Sequence, residues 1–374
     1  MKILYFFQEQ DTPMFRWQRV HFIDELNRHG CEFDCINPLT FESAVEANEQ
    51  VIHLLDSCRF DLFFTNVCYE KVLFPETLVR IKEMGIPSLC LRCDNLVIPF
   101  NDKVLAPYFD LIWLTSWETQ FLYDKWGCTT FFAPYAANPF LFQYRNDHPI
   151  THKVCFIGTP YGSRANMINA LTEGEIPIDL FYGNNTQSKV LSNSDVTYRK
   201  IQTPSRTSVL FHRLLFPQGR KVLLGTIKNR ITGHISINSS VFLTHLPSVQ
   251  PQDQGDLYSE YALALASTST NHTYILRHPL KIINLRNFEI PMSGGIEICK
   301  YNPELADYFE DGKEIVFYKN NDELQDKARY YLTTASDYDI RSIKIAARKR
   351  AEGEHTWWQR FTKAFDLLGL PYSN

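Results

Sequence analysis

The stretch Leu285-Arg-Asn-Phe-Glu-Ile-Pro-Met-Ser-Gly-Gly295 places one carboxylate, Glu289, just ahead of a turn of small residues and glycines. An apolar, strand-like segment, 296–299, follows it directly. A carboxylate in this position can accept two hydrogen bonds from a sugar diol, and glycines let backbone N–H groups approach a phosphate. The stretch therefore predicts a site for a ligand that carries both sugar hydroxyls and phosphate.

Upstream of this stretch, the first 145 residues alternate between short β-rich runs and longer segments with helical spacing of apolar residues. Gly30, Gly85 and Gly127 follow three of the helical segments, where a left-handed C-cap favours glycine. Strand and helix in strict alternation predict an α/β protein with a parallel, doubly wound sheet. The predicted strands are 2–7, 32–37, 61–66, 87–92, 111–116 and 130–135, and the predicted helices are 16–29, 43–57, 75–84 and 117–126.

A polar segment, Arg145 to His152, interrupts this pattern before it restarts, which predicts a linker between two domains. A chain of 374 residues is also longer than one hydrophobic core usually serves. We expect an N-terminal domain at 1–147, a second Rossmann-like domain at 148–345 and terminal helices at 346–374.

Within the second domain, Asn320 and Glu323 have the spacing of a helix capping box. Strands of the second domain are predicted at 154–157, 178–182, 239–243, 273–276, 296–299 and 315–318.

Composition excludes several functional classes. With 44% hydrophobic and 21% charged residues and a net charge of −4, the chain has no overall basic field for nucleic acid. Nine scattered cysteines, and a first segment too short in apolar residues for a signal peptide, predict reduced thiols in a cytoplasmic protein. Cys90-x-x-Cys93 has no second pair at ligand spacing, so no metal site is predicted. No apolar run approaches the ~18 residues of a membrane span.

The stretch at Leu285 continues into two further segments, Pro303-Glu304-Leu305 and 311–316. Together these blocks resemble the C-terminal half of CgeB-like (spore-maturation type) group 1 glycosyltransferases. The resemblance covers residues 153–365, and the first 145 residues share only the architecture. It implies a GT-B fold, in which two Rossmann-like domains face a cleft and a C-terminal helix crosses back to the first domain.

The resemblance also implies a function. Related enzymes move a sugar from a nucleotide-diphosphate sugar to a glycan or lipid-linked glycan, here in bacterial surface polysaccharide synthesis, with retention of configuration. No Asp-x-Asp motif lies between the predicted strands of either unit, so we expect neither metal nor other cofactor. Two features typical of group 1 enzymes are missing: the loop Gln8 to Met14 has no glycine, and the fourth strand leads into Cys93-Asp94-Asn95 without a histidine. The alternative is a catalytically silent module that binds a nucleotide sugar or glycan in a biosynthetic complex.

The resemblance assigns the site residues. The glutamate of its Phe-Glu-Ile-Pro block corresponds to the one that holds ribose, which is Glu289 here. Glu297 completes a literal Glu-x7-Glu spacing but lies beyond the glycines, and counting eight back from Glu289 places Lys281 where the first glutamate would stand. Diphosphate requires cations, and one guanidinium can bind two of its oxygens. Besides Glu289, the predicted donor-binding residues are Arg164, Arg286, Lys281, Gly158, Gly162, Gly294 and Gly295.

Asp94 is the residue predicted to act on the acceptor side. It follows the fourth predicted strand, so it lies at the carboxyl end of the sheet, where a carboxylate can orient an acceptor hydroxyl or act as a base. A loop-capping role is the alternative.

Residues 206–251 fit the alternation least well, and 206–235 is the part of this segment that could contact a membrane. Basic residues such as Arg213, Arg220 and Lys228 are interleaved with leucine, isoleucine, valine and phenylalanine. Such a segment is typical of a helix on the inner face of an anionic membrane, or of a core-facing helix with a solvated basic side. The sequence alone favours the second interpretation, and the first predicts peripheral membrane contact.

Overall fold

The computed structural model describes residues 1–10, 13–93, 95–183, 198–200, 204–233 and 235–372. These residues form two compact units, each built on a parallel sheet with flanking helices. Apart from the residues left out above, the first unit comprises Met1–Pro134, Asn193–Leu223 and Trp357–Asn374, and the second comprises Tyr135–Ser192 and Leu224–Thr356. The domain boundaries at 147/148 and 345/346 stay predictions.

The first sheet has six described strands in the order β2-β1-β3-β4-β5-β6, and all neighbours are parallel. Every residue of β3 and β5 is buried, as expected of strands covered by helices on both faces. All six predicted strands are confirmed, with ends that differ by at most three residues. The strands are β1 Lys2–Phe6, β2 Glu32–Ile36, β3 Leu62–Thr65, β4 Ser88–Arg92, β5 Leu111–Leu114 and β6 Thr130–Phe132.

The helices of the first unit also follow the sequence pattern. The predicted helix 16–29 is interrupted by a π-helical turn, Arg19–Ile23, and the predicted helix 117–126 begins with a 3-10 turn, Trp117–Thr119. Before the C-terminal helix, the unit contains α1 Pro13–Gln18, α2 Asp24–Arg28, α3 Ala44–Ser57, α4 Pro75–Glu83, α5 Gln120–Lys125 and α7 Arg206–Leu214.

The second sheet has six described strands in the order β12-β11-β10-β7-β8-β9, again all parallel. Its strands are β7 Thr151–Ile157, β8 Ile178–Phe181, β9 Leu243–Leu246, β10 Tyr261–Ala266, β11 Glu297–Lys300 and β12 Val316–Tyr318. The helices are α6 Ser163–Glu173, α9 Gln254–Glu260, α10 Arg286–Met292, α11 Pro303–Ala306, α12 Asn321–Thr333 and α13 Asp337–Glu354, and α8 Pro217–Thr232 joins the segments of the two units.

Two strand predictions in this unit are wrong. The predicted strand 239–243 reaches only the first residue of β9, and 273–276 overlaps a 3-10 turn, Asn271–Ile275. The sequence pattern missed β10, Tyr-Ala-Leu-Ala-Leu-Ala, which is buried throughout between β7 and β11. Alanine has low β propensity, so this strand is determined by burial on both faces rather than by a local signal.

Helix ends follow their local signals. Gly30, Gly85 and Gly127 have φ of +79°, +72° and +78°, as a left-handed C-cap requires. Asn320 caps α12 by accepting a hydrogen bond from the Glu323 N–H at 2.9 Å. The Glu323 carboxylate accepts from the N–H of Lys319 rather than from that of Asn320, so only half of the predicted capping box forms.

The C-terminal helix, α14 Trp357–Leu368, belongs to the first unit. Trp357 and Phe361 are fully buried, and their rings meet Phe22 and Phe64 edge-on, with centroids 4.6 and 5.2 Å apart. Trp357 Nε1 donates to His21 Nδ1 at 2.9 Å. The aromatic stripe of this helix is therefore packing.

The basic segment forms α7 and α8, and the favoured interpretation of a core-facing helix is wrong for α7. None of its residues is buried, and Leu210, Phe211 and Leu214 are exposed because the helix packs through its opposite side. Among the described helices, none combines the length and the apolar character needed to cross a membrane.

Candidate functional site

The second sheet reverses its strand order between β7 and β10. The chain runs from β7 through β8 to β9 on one side, then continues on the other side of β7 with β10, β11 and β12. Loops leave β7 and β10 in opposite directions, and the crevice outside the carboxyl ends at such a switch point is where doubly wound sheets bind ligands. In the first sheet the corresponding reversal lies between β1 and β3.

The loop after β7 leads directly into α6 at this switch point. Gly158 and Gly162 have φ of +126° and +60°, backbone conformations that favour glycine, and Gly162 is the N-cap of α6. The Oγ atoms of Ser163 and Ser267 are 2.8 Å apart, which ties the start of α6 to the end of β10. The positive end of the α6 dipole therefore lies at the carboxyl edge of the sheet.

The Arg286 guanidinium lies directly against the backbone of Gly158. A β-carbon on Gly158 would come within 2.8 Å of Arg286 Nη1 and 2.9 Å of Nη2. Arg286 is the first residue of α10, and its N–H donates to Asn284 Oδ1 at 3.1 Å. Gly158, predicted to admit a phosphate, thus makes room for the cation.

Arg164 supplies a second guanidinium. Its Nη1 donates to the Thr159 carbonyl at 3.1 Å, and the group lies 4.8 Å from the centre of the Tyr161 ring. Burial lowers the pKa of Arg164, and the neighbouring charge of Arg286 lowers it further, so the two cations share this edge. No ion pair found in the described part of the chain includes either arginine.

Glu289 lies one turn after Arg286 on α10 and is buried. Both residues lie close enough to the buried Tyr258 of α9 to change the pKa of its hydroxyl. Burial raises this pKa most, the charge of Arg286 lowers it, and the charge of Glu289 raises it. Sequence reasoning missed Tyr258 because it precedes β10, the strand without a local signal. We add Tyr258 to the candidate donor-site residues only because it lies close to Arg286 and Glu289.

Glu297, the second glutamate of the literal spacing, supports the start of α10. Its Oε1 accepts from Asn287 Nδ2 at 2.6 Å, and Asn287 Oδ1 accepts from the N–H of Asn284 at 2.8 Å. Burial raises the pKa of Glu297 to about 7, although hydrogen bonds with Cys299 and Asn287 lower it in part. Glu297 thus holds the helix that carries Arg286 and Glu289.

Lys281 lies near the carboxyl end of β11. Its Nζ donates to the Tyr301 carbonyl at 2.8 Å and lies 5.3 Å from the centre of the Tyr301 ring. Burial lowers the pKa of Lys281, and the charge of Lys300 lowers it further. The residue at the place of the family's first glutamate is therefore a cation held by a backbone carbonyl.

Gly294 and Gly295 lie at the other end of α10. Gly294 has φ of +68°, and a β-carbon there would overlap the Tyr144 ring. A β-carbon on Gly295 would come within 2.8 Å of Ile290 Cγ2. Packing accounts for both glycines, and their contact with a donor stays a prediction.

In the first unit, polar groups near the switch point are satisfied by one another. Tyr5 Oη and Asn66 Nδ2 both donate to Gln18 Oε1, at 2.5 and 2.8 Å. Gln18 Nε2 lies 3.5 Å from the Gln8 carbonyl, just after β1. Sequence reasoning missed Gln18 and Asn66 because their pairing joins residues 48 positions apart.

Arginines near the same edge of the first sheet are paired with carboxylates. Arg92, the last residue of β4, places Nε 2.7 Å from Oδ2 of the fully buried Asp102. Arg19 Nε lies 2.5 Å from Glu9 Oε1. These cations are neutralised within the unit.

Asp94, the predicted catalytic residue, lies outside the described residues. Its neighbour Asn95 is buried, and its Nδ2 donates to the Ser116 carbonyl and to Thr119 Oγ1. That side chain anchors the loop after β4. The role of Asp94 stays a prediction.

Metal-ligating residues do not cluster in the part of the chain that the structure describes: no group of three or more His, Cys, Asp or Glu is placed to hold an ion. All nine cysteines are free thiols, including Cys90 and Cys93.

Similarity to known proteins bears on this geometry. Residues 213–366 match the model of a family described as glycosyl transferase-like. The matched segment contains Arg286 and Glu289 but not Arg164. No curated protein sequence is similar enough to count as a match.

Solved structures match nearly the whole chain. An α-glucosyltransferase in complex with UDP and a 13-mer DNA containing an HMU base is 12% identical, with a TM-score of 0.58 and 99% of both chains covered. HepE from Anabaena, in complex with UDP and glucose, is 12% identical, with a TM-score of 0.55 and 99% coverage of both chains. Sucrose-phosphate synthase from Thermosynechococcus elongatus is 12% identical, with a TM-score of 0.53 and 99% coverage of both chains. The fold is GT-B. The predicted fold is confirmed, and membership of the CgeB-like group stays a prediction.

Proposed function

We propose that this protein is a glycosyltransferase that moves a sugar from a nucleotide-diphosphate sugar to a glycan or glycoconjugate acceptor. The observation that carries the proposal is the pair of guanidiniums, Arg164 and Arg286, without carboxylate partners among the described residues at the switch point of the second sheet. A diphosphate supplies the missing negative charge, and planar guanidiniums bind its oxygens in pairs. The family match over 213–366 supports the same chemistry.

Each donor-site residue has a proposed role. Arg286 and Arg164 bind the diphosphate, and Glu289 accepts hydrogen bonds from the ribose hydroxyls. Negative charge grows on the leaving diphosphate in the transition state, and cations fixed in advance stabilise that charge without reorganisation. The N-terminus of α6 adds positive potential. We propose that these groups act without a metal ion.

The acceptor is proposed to bind the first unit, where Asp94 orients its hydroxyl or acts as a base. We propose a glycan or lipid-linked glycan of a bacterial surface polysaccharide as acceptor, and transfer with retention of configuration. The nine free cysteines favour a reducing compartment, so we propose a cytoplasmic location.

Nucleotide binding is the first test. Titration calorimetry with UDP, GDP, dTDP and CMP should identify one preferred nucleotide, and Glu289→Ala should weaken its binding at least about 10-fold, because two hydrogen bonds to a charged group are lost. Glu173→Ala, at an exposed position of α6, is the control and should bind as the wild type does. Unchanged affinity in Glu289→Ala would overturn the ribose assignment.

A silent binding module is the second candidate, because Lys281 stands where the family has its first glutamate and its ammonium is held by Tyr301. Incubation with a panel of nucleotide sugars separates the two functions. Release of free nucleotide supports the enzyme, whereas saturable binding without release, with or without acceptors, supports the module. Absence of binding to every nucleotide would overturn the enzyme and the nucleotide-sugar-binding form of the module.

A further inference from the structure

Charge is distributed very unevenly along this chain. Residues 196–252 contain no aspartate or glutamate but eight of the 38 lysines and arginines, although the whole chain has a net charge of −4. α7 and α8 both lie inside this segment. A local positive field of this kind attracts an anionic partner.

α7 turns its more apolar side to solvent. It packs through Val209, His212 and the following Phe216, with the His212 ring stacked on Phe100 at 5.1 Å between centroids. Phe211 and Leu214 are 60% and 55% exposed, whereas a helix of a soluble domain normally buries its apolar face. The exposed apolar residues follow one face of the helix and continue just past its end: Leu210, Phe211, Leu214 and Leu215.

α8 shows the same combination of residues. Its packed side includes Gly225, where a β-carbon would come within 2.8 Å of the His272 carbonyl. Ile231 is 79% exposed. The exposed positions at helical spacing along the other side are Arg220, Leu224, Ile227, Lys228 and Ile231.

We propose that α7 and α8 bind the surface of an anionic lipid membrane. Exposed leucine, isoleucine and phenylalanine side chains enter the boundary between headgroups and acyl chains, and the neighbouring arginines and lysines meet the lipid phosphates. Charge alone would also suit a nucleic acid, but that partner gives no reason for large aliphatic side chains in solvent. The inference uses no donor-site residue, so it stands or falls separately from the proposed function.

Vesicle flotation of the full chain tests the inference. The protein should partition at least about 10-fold more strongly onto vesicles of equal phosphatidylcholine and phosphatidylglycerol than onto phosphatidylcholine alone. The difference should shrink as salt is added, because screening weakens the electrostatic part. Equal partition onto both vesicles would overturn the proposal.

A matched pair of double variants isolates the apolar contribution. Phe211→Ser with Leu214→Ser should reduce partition about 10-fold or more, since apolar area no longer enters the lipid. Phe121→Ser with Leu367→Ser is the control, because these residues of α5 and α14 are 48% and 61% exposed and lie outside the basic segment. The control should partition as the wild type does. All four side chains are exposed, so both variants should keep the wild-type melting temperature, and equal partition by the two variants would overturn the inference.

Charge removal gives an independent readout. Arg206→Gln with Arg230→Gln should lower partition onto the anionic vesicles about 10-fold and leave the weak binding to neutral vesicles unchanged.

Two other binding partners of this surface would overturn the proposal. One is a DNA duplex that binds tightly when no vesicle binding is found. The other is a second copy of the chain, seen as a dimer in sedimentation velocity that the Phe211/Leu214 variant abolishes, again without any vesicle binding.

Discussion

The two sheets of this protein share a parallel architecture, but the arginines near their carboxyl edges differ in whether they form ion pairs. In the first unit, Arg92 and Arg19 are paired with Asp102 and Glu9. In the second unit, Arg164 and Arg286 repel one another and form no ion pair with any described carboxylate. Charge pairing, rather than fold, therefore distinguishes the edge where we propose that a diphosphate binds from the edge where Arg92 and Arg19 are neutralised.

Two buried carboxyl groups, Asp102 in the first unit and Glu297 in the second, differ in whether a cation accompanies them. Asp102 is fully buried and accepts from both Arg92 and Tyr123. Burial raises the pKa of Asp102, and Arg92 and Tyr123 lower it. Glu297 is equally buried but has the neutral Asn287 as its amide partner, and its pKa is about 7. At the carboxyl edge of its sheet, the second unit thus leaves Arg164 and Arg286 without carboxylate partners among the described residues, and burial raises the pKa of Glu297 to about 7.

The largest effect is expected where a pair is broken. Arg92→Ala should lower the free energy of unfolding by about 3–5 kcal/mol, because it leaves Asp102 buried without its cation. Urea denaturation measures this, with Arg80→Ala as control, since Arg80 is half exposed and its surface ion pairs contribute at most about 1 kcal/mol. Equal losses in the two variants would show that the Arg92 pair is no more important than a surface contact.

Glu297→Gln tests whether the buried Glu297 carboxyl, which has no cationic partner among the described residues, makes the stability of the protein depend on pH. The folded protein raises the pKa of Glu297 from 4.5 to about 7, so it holds the proton more tightly than the unfolded chain does. The contribution of this group is fully present below pH 4.5, falls as the pH rises to about 7 and is constant above that. At 1.36 kcal/mol per pKa unit, the loss is roughly 3 kcal/mol, and glutamine, which does not titrate, should avoid it.

The measurement is urea denaturation of the wild type and Glu297→Gln at pH 5 and pH 8. The variant should gain stability relative to the wild type at pH 8, whereas Glu173→Gln, at an exposed position, should track the wild type. A stability difference that is the same at both pH values would contradict the role of the Glu297 proton.

Much of this contrast was invisible in the sequence. Local patterns predicted the six strands of the first sheet and the block that carries Arg286 and Glu289, because alternation and motif spacing are properties of neighbouring residues. The pairing of Arg92 with Asp102 and the proximity of Arg164 to Arg286 depend on tertiary structure, as does the alanine-rich strand β10. Sequence thus identified candidate cations but not which of them lack partners.

Arg286→Ala should affect binding rather than folding. Loss of a charged hydrogen-bond donor should weaken binding of the preferred nucleoside diphosphate by about 2 kcal/mol, roughly 30-fold. The free energy of unfolding should stay within about 0.5 kcal/mol, since no ion pair is broken and the repulsion with Arg164 is removed. Calorimetry and urea denaturation of the same protein check both parts, and Arg329→Ala, on the surface of α12, is the control. A large loss of stability with unchanged affinity would reverse the contrast between the two units.

The smallest effect on nucleotide affinity is expected at Gly158, and it tests the position of the Arg286 cation rather than its presence. In Gly158→Ala the new β-carbon would lie within 2.9 Å of both Arg286 nitrogens, so the guanidinium must move. Gly183→Ala is a close control, because Gly183 has φ of +145° against +126° at Gly158, yet a β-carbon there meets nothing within 4 Å. Both variants should therefore share a strain cost of about 1–3 kcal/mol in stability. Only Gly158→Ala should also lose about 1 kcal/mol of nucleotide affinity, because a bidentate contact depends on the orientation of the guanidinium. Equal affinities in the two variants would mean that Arg286 binds as well from a displaced position, so the second unit would supply a mobile positive charge rather than a fixed one.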